Sequence, residues 1–294
     1  MGAMKHSKFP YIVLIPLLFL MFVFIVLPII GNFVISFLDY NPLRAEGNRF
    51  VGFKNYARFF TDNLFKKSFV NTMVFVLSMT VLNLIMTLIM AQLLAGLQSG
   101  HWRSFFRVTF FMPCVAPLAA VAIVWQRCIL PVKGGLLNMG LSALGFSAVN
   151  WLDTQHLMFS LIMLSLWADV GYNIILFTSG IEGIPTSYFE AAEIDGAGPI
   201  RRFFSITFPL LNRIFTFVSI TTVISYFQAF AQFSIVAKGG GSGYAGYVMS
   251  TYIYDMGFGN KDMGYASALS VALFMVIMAF TLIQRRATKV DWGY

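Results

Sequence analysis

Six long apolar runs dominate the sequence and limit what the chain can fold into. Each run has 18 or more residues with few charges, which is the length that identifies a transmembrane helix. A helix that rises 1.5 Å per residue needs about 20 residues to cross roughly 30 Å of hydrocarbon. Hydrophobic residues make up 58% of the 294 residues and charged residues 11%, which lies outside the composition of soluble domains. The sequence therefore predicts an all-α, polytopic membrane protein and excludes a soluble enzyme.

The runs predict six transmembrane helices within a single domain that covers residues 1–294. Their expected bounds are 11–37, 69–97, 104–125, 157–181, 206–235 and 265–283. An even number of spans puts both termini on the same side of the membrane. Prolines within or at the ends of three spans predict kinks, and they are Pro16, Pro28, Pro113, Pro117 and Pro209.

The positions of Lys and Arg give only a mild preference for the orientation in the membrane. With the N-terminus in the cytoplasm, the 20 Lys and Arg residues divide equally between the two sides. The segments on the N-terminal side are shorter and their charges lie closer to the span ends, which favours an N-in, C-in topology. The first connection, 38–68, carries several basic residues on the opposite side and weakens this preference.

The net charge of +8 comes from basic residues that are scattered over span ends and connections. This pattern predicts contact with lipid headgroups and no binding of nucleic acid. The segment 239–243 is rich in glycine but lacks the Gly-Lys-Ser/Thr sequence of a phosphate-binding loop, so no nucleotide site is expected. No metal site or catalytic residue is expected either, because the three histidines lie outside the spans: His6, His101 and His156.

The connection 184–205, between the fourth and fifth spans, carries the signals of a short helix. Ser187 and Glu190 have the spacing of a capping box, which predicts a helix that begins near Tyr188. Two glycines follow at positions where a helix commonly ends. They are Gly196 and Gly198.

Pro199 is expected to open a second short helix that carries Arg201 and Arg202. The small residues in this connection allow another surface to approach closely, and they are Ala191, Ala192 and Ala197. Two interpretations are open at this point. The segment is either an ordinary capped connection or a rigid projection that binds a partner.

Polar residues lie near the middle of two spans. An ionised carboxylate at the centre of the fourth span, Asp169, costs about 2.5 to 3.5 kcal/mol. Tyr172 and Asn173 follow at i+3 and i+4 on the same helix face. The fifth span is expected to place three polar residues on one face, and they are Ser225, Gln228 and Gln232. These faces are typical of a solute pathway, and interhelical hydrogen bonds are the alternative, which is preferred for Asn83 and Gln92.

Several motifs occur in one order along nearly the whole chain. The connection contains Glu190-Ala191-Ala192 and Asp195-Gly196-Ala197, followed by Ile206 and Pro209-Leu210-Leu211. The further motifs are Phe50-Val51-Gly52-Phe53-Lys54-Asn55-Tyr56, Phe105-Phe106-Arg107 with Phe110-Phe111-Met112-Pro113, and Gly264-Tyr265-Ala266-Ser267-Ala268-Leu269-Ser270. Together they resemble the permease subunits of bacterial ABC importers, in the carbohydrate-uptake branch that includes maltose and glycerol-phosphate permeases.

This resemblance implies the type I ABC importer permease fold, an N-in topology and a multi-pass location in the bacterial cytoplasmic membrane. It implies a coupling helix that docks in a cleft of a separate ATPase subunit. The residues carried over to that helix are Glu190, Ala191, Ala192, Asp195, Gly196, Ala197 and Gly198. It also implies that Asp169, Tyr172, Ser225, Gln228 and Gln232 line a sugar site.

The partners implied by the resemblance are a second homologous permease, two ATPase subunits and an extracytoplasmic solute-binding protein. ATP and magnesium would be bound by the ATPase subunits, and this chain would bind no cofactor. The expected solute is a sugar or an oligosaccharide. The alternative is an ion-coupled secondary transporter of a polar solute, which needs ionisable relays inside the membrane, where Asp169 alone is central.

Overall fold

The computed structural model describes residues 9–44, 48–97 and 99–287. Among these residues, five helices are long and apolar enough to cross a membrane, and a bent pair of helices counts as a sixth span if it is taken together. The predicted all-α, polytopic architecture is therefore confirmed. A single pair of two-residue strands is the only β structure in the described ranges.

The helices in chain order are α1 (Phe9–Met21), α2 (Leu27–Ile35), α3 (Lys54–Ala57), α4 (Asn63–Ala95), α5 (Gly100–Val115), α6 (Leu118–Val124), α7 (Leu136–Ala143), α8 (Leu157–Glu182), α9 (Thr186–Ile194), α10 (Pro199–Arg202), α11 (Phe208–Leu210), α12 (Asn212–Phe227), α13 (Ala231–Val236), α14 (Met249–Tyr254) and α15 (Met263–Ala287). Five-residue π-helical turns lie at Phe22–Val26, Trp125–Ile129, Phe203–Thr207 and Asp255–Gly259. Shorter 3₁₀ turns lie at Arg58–Phe60, Lys238–Gly240 and Ser242–Tyr244.

Contacts divide the chain into two compact units. The smaller unit contains Met1–Asp62 and Ile253–Phe274, and the larger unit contains Asn63–Tyr252 and Met275–Tyr294. The smaller unit begins with α1 and α2, joined through a π-helical turn that precedes Pro28. Their 22-residue apolar stretch, Leu14–Ile35, has a mean hydropathy of 2.9 and no buried residues in its most apolar part. This helical surface is left for lipid or for another protein to cover.

A compact turn follows α2 in the smaller unit. Strand β1 (Leu38–Asp39) pairs antiparallel with β2 (Arg49–Phe50). The Nδ2 of Asn55 donates hydrogen bonds to the carbonyl oxygens of Ser36 and Leu38, at 2.9 and 3.0 Å. The amide thereby satisfies backbone acceptors where the helix ends and the strand begins.

A glycine allows the start of α15 to pack closely against this turn. A Cβ atom on Gly264 would lie 2.0 Å from the carbonyl oxygen of Leu38. The backbones approach so closely that no side chain fits between them. The motifs 50–56 and 264–270 therefore meet in one unit. Asn55 donates a hydrogen bond to the carbonyl oxygen of Leu38, and Gly264 packs closely against the same carbonyl group.

The core of the larger unit lies between α4, α8 and α12. One cluster of buried side chains comprises Ala91, Phe177, Ile181, Leu211 and Val218. A second cluster comprises Leu94, Val170 and Ile174 and is covered by side chains of α5. Helix α5 reaches α8 at Gly171, where an added Cβ would lie 2.0 Å from the carbonyl oxygen of Phe110.

The third predicted span, 104–125, is broken rather than continuous. Gly100–Val115 and Leu118–Ile129 meet at an angle of 91°. Ala116 has an extended conformation, with φ −73° and ψ 138°, directly before Pro117. The proline ring disfavours helical conformation in the preceding residue, which accounts for the break. The kink predicted from Pro113 and Pro117 is confirmed, and it is a complete break in the helix.

The fifth predicted span, 206–235, is also interrupted. Helix α12 ends at Phe227, and α13 begins only at Ala231. The carbonyl oxygen of Ala229, which is freed by the interruption, accepts a hydrogen bond from the hydroxyl of Ser250. The other predicted spans are confirmed with shifted ends; for example, the second begins at Asn63 rather than at residue 69.

The close approach of α5 and α8 gives a stability prediction. Gly171→Ala forces the two backbones apart and should destabilise the protein by about 1 to 3 kcal/mol, the usual effect of overpacking. The control is Gly140→Ala in α7, where an added Cβ meets nothing within 4 Å. Thermal unfolding of the purified protein in detergent checks both. Equal melting temperatures for the two variants would show that α5 and α8 do not need this contact.

Candidate translocation cavity and coupling segment

A polar cavity of about 400 Å³ lies in the larger unit. It is bounded by the break between α5 and α6 on one side and by α8 and α12 on the others. Irregular backbone at membrane depth is tolerated where it lines a water-filled space, so the break and the cavity belong together. The lining residues are Phe111, Pro113, Cys114, Ala116, Leu118, Ala168, Asp169, Tyr172, Asn173, Thr221, Thr222, Ser225 and Tyr226.

Helix α8 supplies the charged group of the cavity. Asp169 lies midway along the helix and is half-buried, and the Tyr172 side chain beside it is 54% exposed. Within the described residues, no hydrogen bond or ion pair engages the Asp169 carboxylate. A carboxylate that faces a polar cavity without an internal partner is available to a solute or to water.

Asn173 connects three helices. Its Nδ2 donates to the Oδ1 of Asn83 in α4 at 2.7 Å and to the Oγ1 of Thr222 in α12 at 3.1 Å. Asn173 borders the cavity, but it is only 6% exposed. Its amide therefore forms hydrogen bonds between helices rather than facing the cavity. The interpretation of Asn83 as an interhelical hydrogen-bonding residue is confirmed, whereas Gln92 makes no side-chain hydrogen bond with any described residue.

Helix α12 brings only part of its expected polar face to the cavity. Ser225 lines the cavity, but Gln228 and Gln232 do not. The expectation of one continuous face is wrong because α12 ends at Phe227 and the chain changes direction before α13. Gln228 is exposed beyond the helix end, and Gln232 is buried, with its Nε2 3.3 Å from the Oγ of Ser165.

Several lining residues were not predicted from the sequence. The prolines at 113 and 117 could have indicated part of the lining, because a break in a helix exposes backbone and small side chains such as Cys114 and Ala116. The two threonines of α12, Thr221 and Thr222, carried no signal that distinguishes them from ordinary helix residues. Both line the cavity, and Thr222 also accepts a hydrogen bond from the Nδ2 of Asn173 in α8.

The segment after α8 forms the two predicted short helices. Helix α9 begins at Thr186 and has Pro185 as its N-cap residue, without a side-chain capping bond. The predicted capping box of Ser187 and Glu190 is therefore wrong, since Ser187 already lies inside the first turn. Pro199 opens α10, which carries Arg201 and Arg202, as predicted.

Gly196 ends α9 in a Schellman motif. Its φ is +72°, and its N–H donates to the carbonyl oxygen of Glu193 at 3.0 Å. The N–H of Ala197 donates to the carbonyl oxygen of Ala192 at 2.8 Å. These two bonds define the motif, and the left-handed conformation favours glycine at this position. The prediction that Gly196 or Gly198 ends the helix is confirmed for Gly196.

The predicted coupling residues lie on an accessible segment. Ala192 and Ala197 are partly buried, and the others are exposed: Glu190, Ala191, Asp195, Gly196 and Gly198. Large apolar side chains of the same segment are also exposed, with Ile194 at 87%, Ile200 at 77% and Tyr188 at 53%. Exposed apolar side chains at the end of a helical bundle are typical of a docking surface.

Apolar helices of transmembrane length around a polar cavity, together with an exposed helical segment at one end of α8, define a membrane transport permease. Comparisons with known proteins identify the kind. The family model of binding-protein-dependent transport system inner membrane components matches residues 84–289. The chain belongs to this family, and it is a membrane-spanning permease subunit of an ABC importer in the cytoplasmic membrane.

Individual relatives extend the similarity over almost the full chain. A protein of Bacillus subtilis (strain 168) named "Probable ABC transporter permease protein YurN" is 34% identical over 97% of both chains. The arabinooligosaccharides transport system permease protein AraP of the same strain is 28% identical, over 93% of this chain and 86% of its own. The resemblance inferred from the sequence motifs is thereby confirmed.

A solved structure shows the same fold. One chain of a bacterial alginate ABC transporter, crystallised in complex with alginate pentasaccharide-bound periplasmic protein, superimposes with a TM-score of 0.85. The sequence identity is 20%, and the match covers 98% of this chain and 97% of that chain. The type I importer permease fold expected from the resemblance is thus confirmed.

The hydrogen bonds around Asn173 give a second prediction. Asn83→Ala leaves a buried amide hydrogen without its best acceptor, and should destabilise the protein by about 1 kcal/mol. Gln92→Ala is the control, since it removes a primary amide, one methylene longer, from the same helix and no described hydrogen bond is lost. Unfolding in detergent measures both. A larger loss for Gln92→Ala would contradict the assignment.

Proposed function

We propose that this chain forms half of the translocation pathway for a sugar or an oligosaccharide, and that the cavity beside Asp169 is part of the solute path. The observation that carries the proposal is a polar cavity of about 400 Å³ midway along α8. Its volume lies within the range of small-molecule sites, about 300 to 1,000 Å³.

The chemistry of the cavity wall suits sugar hydroxyl groups. The Asp169 carboxylate is a strong acceptor, the hydroxyl of Ser225 both donates and accepts, and the hydroxyl of Thr221, which donates to the carbonyl oxygen of Phe217, is a further acceptor. The exposed ring of Tyr172 offers an apolar face with a polar tip, which suits the mixed surface of a pyranose ring. A solute that replaces water at these groups keeps their hydrogen bonds.

The charge of the wall favours neutral or amino sugars. Asp169 is the charged residue among the described lining residues, and no Lys or Arg lies among them. An anionic solute would meet a like charge without a compensating cation, which disfavours it. This chemistry differs from what an acidic polysaccharide requires, although the alginate transporter shares the fold.

Two of the similar proteins support a carbohydrate as the solute, while others are named for sn-glycerol-3-phosphate. AraP is named for arabinooligosaccharides, and the structurally similar chain belongs to a transporter of alginate. Both names concern carbohydrates of several residues. We extend the class of solute, and not the particular sugar, to this chain.

The functional unit is proposed to be a complex of this chain with a second homologous permease, two ATPase subunits and an extracytoplasmic solute-binding protein. The exposed apolar surface of α1 and α2 leaves a face in the membrane that a second permease can cover. ATP and magnesium bind to the ATPase subunits, and this chain performs no chemistry. Both of its termini lie in the cytoplasm.

The segment from Glu190 to Gly198 is proposed to be the coupling helix, which docks in a groove of an ATPase subunit. Support comes from the exposed apolar side chains of Ile194 and Tyr188 next to the acidic Glu190. A helix laid in a groove is a common mode of recognition. The Schellman motif at Gly196 fixes where the helix ends and how the chain leaves the groove.

The cavity is tested by substitution of its polar groups. Asp169→Asn and Tyr172→Ala should each raise the transport KM for the sugar about 5-fold to 150-fold, because a lost buried hydrogen bond costs about 1 to 3 kcal/mol. The complex is reconstituted in vesicles with its binding protein, and uptake is measured over a series of sugars. Asp39→Asn, in an exposed ion pair with Arg44, is the control and should leave KM unchanged.

Two outcomes would contradict the proposal. If Asp169→Asn lowers the amount of assembled complex while KM stays at the wild-type value, the carboxylate has a structural role. If uptake of neutral sugars is absent and an anionic solute is transported, the assignment of the solute class is wrong.

The coupling helix is tested at its glycine. Gly196→Ala places a Cβ in a left-handed conformation, at a cost of about 1 to 2 kcal/mol, and should lower ATP-driven uptake several-fold through loss of ATPase binding. Gly145→Ala is a matched control, because Gly145 has φ +81° and ends α7 with the same pair of hydrogen bonds. Co-purification of the ATPase subunits is the measurement. Equal retention by both variants would show that the segment is only a connection.

A further inference from the structure

A cluster of three charged side chains lies at the end of α8 that leads to α9. Glu182 is the last residue of α8. Its Oε1 lies 2.6 Å from the Nη2 of Arg107 and 3.1 Å from the Nη1 of Arg103. The three side chains are 30 to 33% exposed, so they are partly shielded from water. Charge-assisted hydrogen bonds of this length are stronger than neutral ones.

The cluster also holds the end of α4. The Nη2 of Arg103 donates to the carbonyl oxygens of Ala95 and Leu97, at 3.3 and 2.5 Å. These carbonyls lie at the C-terminal end of α4, where a cation is favoured by the helix dipole. Arg103 therefore joins the ends of α4 and α8 to the first turn of α5.

The same two helices, α5 and α8, both line the cavity. They are in backbone contact at the level of the cavity, at Gly171 and Phe110. Next to this contact, α5 contributes Phe111 and Cys114 to the cavity, and α8 contributes Asp169 and Tyr172. The charged cluster adds a second connection at the end of α8, so that a displacement there acts on α5 directly as well as through the packing near Gly171.

The distance along the chain between the cluster and α9 is short. Glu182 and Thr186 are separated by Gly183, Ile184 and Pro185. Ile184 is buried, and its N–H donates to the carbonyl oxygen of Ile181. Proline restricts the backbone before α9, so α9 is tied to the end of α8 through a stiff connection.

We propose that Glu182, bound by Arg103 and Arg107, is a positioning residue that makes α5 and α8 move together when α9 is displaced. The cluster lies outside the cavity lining and outside α9. The cluster determines whether a movement of α9 displaces both α5 and α8 at the cavity or displaces α8 alone. The inference rests on the proposed function in one respect, namely that α9 is the segment that an ATPase subunit displaces.

A native cysteine reports on the cavity without requiring a solute. Cys114 lines the cavity, and the other cysteine of the chain, Cys128, is exposed outside it. In a Cys128→Ser background, a water-soluble maleimide should label Cys114 at a rate that depends on ATP and magnesium in the assembled complex. The ATP-dependent ratio of labelling rates then measures the response of the cavity.

Glu182→Gln keeps the size of the side chain, removes its charge and leaves two arginines beside each other. It should reduce the ATP-dependent labelling ratio about 2-fold to 30-fold, the range by which residues between coupled sites alter their coupling. The amount of ATPase bound should not change, since α9 is unaltered. Asp39→Asn removes a carboxylate from an exposed ion pair and should leave the ratio as in the wild type.

A second variant covers the case in which Glu182→Gln does not assemble. Arg107→Met keeps an unbranched side chain and leaves the contact of Arg103 with Glu182, so it should give a smaller reduction of the same kind. A wild-type labelling ratio in either assembled variant would overturn the inference. A reduced ratio that Glu182→Asp partly restores would support it, because aspartate retains the charge.

This inference and the proposed function fail separately. If sugar uptake is absent but Cys114 labelling responds to ATP and loses that response in Glu182→Gln, the sugar assignment is wrong and the cluster has its proposed role. If sugar uptake is present and the variant responds as the wild type does, the role of the cluster is wrong and the solute path is unaffected.

Discussion

The hydrogen bonds of the backbone, in an environment without water, determine where this protein can carry function. In hydrocarbon each unpaired N–H or C=O costs several kcal/mol, so the chain crosses as helices and departs from helix only where other polar groups or water are present. The two departures described here follow this constraint. The carbonyl of Ala229 is bonded to the Ser250 hydroxyl, and the break at Ala116 and Pro117 opens onto the polar cavity.

The sequence predicted features that depend on length and on the chemistry of single residues. Apolar runs gave the spans, since a helix must be long enough to cross the bilayer. Proline marked the break at residue 117, and Gly196 ended α9 because only glycine enters the left-handed region without cost. Asp169 and Tyr172 reached the cavity because both lie on one uninterrupted helix, where spacing fixes the face.

Features that depend on tertiary contacts were not predicted. Ser225 and Gln232 were assigned to one face by a helical period that the interruption after Phe227 destroys. No local signal marks that interruption, because the serine that satisfies the freed carbonyl lies on a distant segment. The failed capping box has a local cause instead. Pro185 starts the helix earlier than the Ser187 and Glu190 spacing implies, so the hydroxyl falls inside the first turn.

The bonds of Asn173 have a consequence for the kind of movement that α8 can make. A helix advances about 100° per residue, so rotation of α8 about its own axis by one residue would carry the amide away from both Asn83 and Thr222. The glycine contact with Phe110 sets the same restriction on the other side, since any larger side chain turned toward α5 meets its backbone. Axial rotation of α8 would therefore break both hydrogen bonds and turn larger side chains against α5, whereas tilt or translation keeps the same face toward these partners. The side chains of α8 that line the cavity therefore stay on its wall as long as the helix does not turn about its own axis.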